Sequence, residues 1–230
     1  MHPIIIPIFI VIAIATALAA TFLLRARRRS QLEFIRSYNF HPAIREKVAR
    51  RYSHLNDNQI NTLFDALRDY FTFCNRAKRR MVAMPSQAVD TAWHEFILFT
   101  RAYKLFSKRA IGRYLHHTPT VAMSTPTQAH ESIKRAWRLA CAKEGIDPAN
   151  PARLPLLFAI DAMYGIEDGF VYSLDCRDKS SPNDGSDYCA GHIACAGGCA
   201  GDSGAGDDFS SGSDCGGSSC CGGGSSCGSD

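Results

Sequence analysis

The chain has 230 residues, enough for one ordinary domain with appendages. Its net charge of +4 hides a division: all 26 Lys and Arg lie at or before Lys179, against 15 acidic residues there, whereas the rest carries seven Asp and no base. That balance excludes a uniformly acidic, solvating chain. It points to a basic body with a surplus of eleven charges near an anionic surface, followed by an acidic tail of minus seven.

From Pro3 to Leu24 the sequence runs for 22 residues without a charge, long enough to cross a bilayer core as a helix. A cleaved signal peptide carries its positive charges before the apolar run. Here Arg25, Arg27, Arg28 and Arg29 follow it, so a retained anchor is expected, with the arginines and everything after them cytoplasmic. The same four side chains should lie against anionic lipid headgroups, the expected membrane partner. A cytoplasmic body keeps Cys74 and Cys141 as buried thiols.

Residues 31–38 continue the anchor helix until Asn39 breaks it. His41-Pro42 opens a short helix to about Tyr52, with proline where its missing N–H costs nothing. Asn56 and Gln59 stand at capping-box spacing, and Ile60, Leu63, Phe64, Leu67, Phe71 and Cys74 form an apolar stripe of helical period, ending at the cations Lys78, Arg79 and Arg80. Ser86 caps the next helix, read as one piece over 86–107. Thr125-Pro126, with Gln128 in capping position, starts another that Gly145 stops. After the three prolines of 147–155, Leu156 to Tyr164 forms the last, ended by Gly165, and Phe170 to Leu174 is a candidate strand. The fold class is therefore all-α: a transmembrane anchor with a basic collar over 1–29, a compact domain of five or six helices over 30–178, and a tail over 179–230.

Chemistry concentrates between Ser86 and Pro119, which holds Trp93 and three of the eight histidines. At about 100° per residue, Val89, Ala92, Trp93, Phe96, Thr100 and Tyr103 gather as a core stripe, while Asp90, His94, Ile97 and Arg101 form a second line. His116 and His117 follow in a turn that reaches back toward that line. Three readings compete. Asp90, His94, His116 and His117 are suitable ligands for zinc, iron, manganese or another divalent metal. Alternatively, Asp90 orients His94 as a general base with Arg101 or His116 stabilising an anion. In the plainest reading, Asp90 and His94 are an i,i+4 surface pair. The HExxH zincin pattern is absent, because Leu98 stands where its second histidine belongs.

The string VDTAWHEFI, then TRAY and LHHTP, resembles a family of uncharacterised bacterial proteins in Val89, Asp90, Trp93, His94, Thr100, Arg101, Tyr103, His116, His117 and Pro119. Its Trp-His segment is distantly similar to that of plant glycine-rich domain-containing proteins. The resemblance spans about residues 50–175 and implies a recurrent helical module, sometimes followed by a Gly- and Cys-rich tail.

Beyond Ser180 lie 14 of the 18 glycines and seven of the ten cysteines, with too few large apolar residues for a core, so disorder is expected. Within it Cys189, His192, Cys195 and Cys199 offer four ligands at spacing suited to a tetrahedral zinc site. No nucleic-acid reader motif accompanies the basic residues. These readings predict a single-pass cell-membrane protein with a cytoplasmic body and tail, acting as a tethered binding or adaptor module for an unidentified protein partner and binding a metal. The alternative is a metal-assisted, hydrolase-like enzyme. The two part on geometry, since an enzyme needs Asp90, His94 and the paired histidines converging beside an open pocket.

Overall fold

The computed structural model describes residues 5–117, 126–174, 188–189 and 193. Apart from residues 188–189 and 193, the tail expected to be disordered lies outside that set, as do Thr125 and Pro119. Seven helices make up most of the described chain: α1 (Ile5–Arg36), α2 (Pro42–Arg51), α3 (Asp57–Arg76), α4 (Gln87–Leu98), α5 (Thr100–Ile111), α6 (Pro126–Glu144) and α7 (Leu156–Met163). A two-residue parallel pair, β1 (Tyr172–Ser173) with β2 (Tyr188–Cys189), completes it.

One continuous helix carries two environments. The apolar part of α1 is bare and long enough to span a bilayer, whereas Ile35 near its end is fully buried and Phe34 packs on Phe106. Burial of that last turn against α3 and α5 is why the helix persists to Arg36.

The long helix α3 is the axis of the body. Its capping box is formed as the spacing predicts, with Asn56 Oδ1 accepting from Gln59 N at 3.0 Å and Gln59 Oε1 from Asn56 N at 2.9 Å. Leu63, Phe64, Leu67 and Phe71 are wholly buried. Around them Phe40, Phe96 and Phe106 pack tilted or edge-to-face at centroid distances of 4.8–5.3 Å, contacts worth about 0.5–1.5 kcal/mol each beyond their burial. The helix stops at Arg76, short of the cations expected to close it, and Lys78 turns the chain with a φ of 57°.

The single helix expected over 86–107 is two. It breaks at Phe99 (φ −81°, ψ 59°), and α5 folds back beside α4. In a straight helix Phe96 and Phe106 would stand about 15 Å apart along the axis; here their rings are 5.3 Å apart. Putting both in one aromatic core outweighs the lost helical bonds, and no glycine or proline marks the place. Thr100, assigned to the core stripe, is consequently exposed, as is Arg101.

The start of α4 is held from a distance. Asp161 on α7 is 2% exposed, and its carboxylate accepts from Ser86 Oγ at 2.6 Å and from the backbone N–H of Gln87, Ala88 and Phe170 at 2.6, 3.2 and 3.0 Å. An anion at a helix N-terminus is favoured by the helix dipole. The loop that supplies Phe170 comes so near that a Cβ at Gly169 would lie 2.7 Å from Asp161 Cβ.

The body also reaches past the boundary that composition draws at 178: β2 pairs with β1, and Ile193 is buried in the core. Cys74 and Cys141 are free and buried, as expected, and burial pushes their thiols up to about 12 and about 11.

Candidate metal centre

Asp90 lies in the first turn of α4, so the Ser86–Asp161 clamp that fixes this helix end fixes Asp90 too. His94 follows one turn later on the same face. The third member arrives by loop. Gly112 ends α5 with a φ of +81°, and the chain then runs back along α4. Arg113 donates to the Lys78 carbonyl at 3.0 Å. Trp93 Nε1–H donates to the Tyr103 hydroxyl at 3.1 Å, which in turn donates to the Leu115 carbonyl at 2.5 Å. Burial pushes the Tyr103 phenol up to about 12, so it keeps the proton that this bond requires. Leu115 is thereby pinned, and His117 two residues on sets its ring edge-to-face on Trp93 at 4.5 Å.

The three side chains then meet. His117 Nε2 is 2.9 Å from Asp90 Oδ1, His94 Nδ1 is 3.6 Å from Asp90 Oδ2, and the two imidazole centroids are 4.2 Å apart. One nitrogen from each histidine and one carboxylate oxygen lie within 4.8 Å of one another. Zinc bonds of about 2.0–2.1 Å in tetrahedral array put ligand atoms about 3.3 Å apart. Closing the set on an ion therefore needs side-chain adjustments of an ångström or so. Asp90 and His117 are mostly shielded, at 18% and 16% side-chain exposure, and His94 is half exposed at 53%. Two imidazoles and one carboxylate are the donor types that can hold a divalent ion while leaving some of its positions to other ligands.

Asp90, His94 and His117 line a cleft of about 320 Å³ whose buried lining includes Tyr70, Cys74, Val82 and Trp93. Its rim carries Arg79, Arg80 and Arg113, and among the described residues Asp90 is the one acidic side chain lining it. A divalent ion on one carboxylate keeps a net positive charge, to which the arginines add. The cleft is therefore suited to an anion beside the metal.

Of the residues singled out from sequence, Asp90, His94 and His117 converge. His116 lines the cleft but leans on Tyr114 at 4.8 Å and stands outside the cluster. Arg101, placed on the same line by an unbroken helix, is carried off by the break at Phe99 and does not line the cleft. Cys189 is described only as a strand residue, and His192, Cys195 and Cys199 lie outside the described residues. Sequence reasoning missed Asp161, Tyr103 and the rim arginines. Tyr103, Arg79 and Arg80 stood in the sequence only as a core position and helix-end cations, and the signal for Asp161 was a lone aspartate inside the apolar run LLFAIDAM.

No curated protein and no solved structure matches the chain significantly. The model of the family described as UCP032817-like matches residues 30–193, from the docked end of α1 through β2 and so the whole ligand cluster, and the chain belongs to that family.

Proposed function

We propose that this protein is a membrane-tethered module that holds a divalent ion, zinc, iron or manganese, through Asp90, His94 and His117, and offers the ion's open positions to an anionic ligand in the cleft. The observation that carries the reading is the convergence of those three donors from a helix and a separate loop beside a cavity lined with arginine. The apolar length of α1 and the arginines after it support the tether and a cytoplasmic body. Membership of the family adds no chemistry, and the likeness to plant glycine-rich domain-containing proteins rests on the Trp93-His94 segment alone.

The open positions also favour a second reading, metal-assisted hydrolysis of an anionic ester. There the ion would polarise the substrate oxygen and lower the pKa of a bound water, while the arginines would hold the developing charge. An adaptor would use the same site to hold its partner without turnover.

Elemental analysis of the full chain tests the metal, with Asp90→Asn and His117→Ala variants purified in parallel and the tail cysteines constant throughout. A single metal equivalent lost in both variants, with unfolding midpoints near that of the parent, is the expected result. Equal metal content in all three chains would remove Asp90 and His117 as ligands and with them the proposed site.

A further inference from the structure

A second cleft, of about 530 Å³, opens where α1 leaves its apolar stretch, bounded by the turn after α3 and the end of α5. Six cations line it: Arg25, Arg27 and Arg28 from α1, Lys78 and Arg79 from the turn, and Arg113 from beyond α5. Among the described residues no acidic side chain lines it; its other polar side chains are Gln31 and Asn75, and Leu24 and Ile111 make its apolar part. Among the described residues none of the six cations is paired with a carboxylate.

This concentration is built rather than scattered. Lys78 is the one non-glycine residue with positive φ among those described, and its carbonyl is tied to the Arg113 guanidinium at 3.0 Å. That tie presents Lys78, Arg79 and Arg113 together toward α1. Asn75, buried beneath, donates to Gln31 Oε1 at 3.1 Å and to the Ala110 carbonyl at 2.7 Å, locking α3 to both walls. At Gly112 an added Cβ would stand 3.5 Å from Gln31 Nε2, so α5 closes directly on α1.

Depth supplies the ligand. The apolar run ends at Leu24, and Arg25 to Arg28 cover about the next 6 Å of helix axis. The headgroup layer on each side of a bilayer is about 5–8 Å thick. Six cations in a concave site at that depth, with an apolar residue at its edge, match a phosphate on an acylated glycerol. We propose that this cleft binds the phosphate headgroup of an anionic lipid, with α1, Lys78, Arg79 and Arg113 gripping one lipid rather than adhering to the surface at large. The lipid source rests on the membrane-tethered reading; the phosphate chemistry does not. Arg79 and Arg113 also line the metal cleft, so an occupant of one site adjoins the other.

Calorimetric titration of the full chain in neutral detergent micelles tests this, with chelator present so that a metal-bound phosphate contributes nothing. The probes are short-chain phosphatidic acid, phosphatidylcholine of the same length, and inorganic phosphate. Saturable binding of phosphatidic acid alone is expected, weakened tenfold or more in Arg27→Gln/Lys78→Asn. Asparagine tolerates the left-handed backbone at Lys78, so this pair removes charge without straining the turn. Arg29→Gln, whose side chain is outside the cleft, should change affinity by less than about twofold. An equal loss in Arg29→Gln, or no saturation, would reduce the cleft to diffuse adhesion and overturn the proposal. Equally tight, variant-sensitive binding of inorganic phosphate would overturn the lipid source and assign the cleft to a soluble phosphate compound. Carbonate washing of neutral vesicles carrying the chain reports the tether separately, since release would sink the membrane reading whatever the phosphate result.

Discussion

The carboxylate of Asp161 should be the most expensive single atom group in the body to neutralise. Asp161→Asn keeps volume but replaces two acceptor oxygens by one oxygen and an NH2 group, facing four donors: Ser86 Oγ–H and the N–H groups of Gln87, Ala88 and Phe170. The amide oxygen satisfies two of the four at most. Two buried donors are left unpaired at about 1–3 kcal/mol each, and the remaining bonds lose their charge assistance, giving a loss of about 3–5 kcal/mol. Domains are stable by about 5–15 kcal/mol, so the change is a large fraction of the total and about 6–20 °C in melting temperature for a chain of this size. Trp93 and Trp137 are both buried in the core, so urea unfolding of the full chain followed by tryptophan emission reads it directly. The midpoint should fall by at least about 1 M. Asp168→Asn, which removes a half-exposed partner of Arg51, is the control and should cost under about 0.5 kcal/mol. A loss below about 1 kcal/mol for Asp161→Asn would show that the clamp does not hold α4, and that Asp90 owes its position to some other contact.

Two further outcomes follow from the same geometry. Tyr103→Phe strips the hydroxyl that links Trp93 Nε1–H to the Leu115 carbonyl, leaving both buried groups unsatisfied at a cost of about 1–3 kcal/mol each. Because Leu115 fixes the segment bearing His117, metal affinity should fall about tenfold or more, read by competition with a metal indicator; unchanged affinity would show that the loop is held otherwise. Alkaline pH should also destabilise the fold. Burial raises Cys74 and Cys141 from 9.0 to about 12 and about 11, and Tyr103 from 10.0 to about 12. Between pH 9 and 12 the unfolded chain therefore releases protons that the folded chain retains, and stability contributed below pH 9 is lost as pH rises. Urea midpoints measured at pH 7.5, 9.5 and 10.5 should fall only in the last two, and a flat profile would contradict the burial of these groups.

Local rules determined much of this protein. Helix caps and breakers are short-range chemistry, so Pro42, the Asn56–Gln59 box, Ser86, Gly145 and Gly165 mark element ends in sequence and again in the fold. The stripe on α3 and the apolar length of α1 were equally plain, because periodicity and hydropathy follow from which side chains water rejects. Asp90, His94 and His117 drew notice by residue type. What the chain order did not contain was any tertiary decision. The break at Phe99 has no local signal, since only the merging of Phe96 and Phe106 into one aromatic core makes it favourable, and that break removed Arg101 from the site. Asp161 looked like a stray charge in an apolar helix until the end of α4, over 70 residues earlier in the chain, was laid against it. His117 was chosen over His116 by the Tyr103–Leu115 tether and the Trp93 ring, and the rim arginines were gathered from two separate turns. Each of these depends on groups far apart in sequence, whose mutual energies exist only once the core has brought them together.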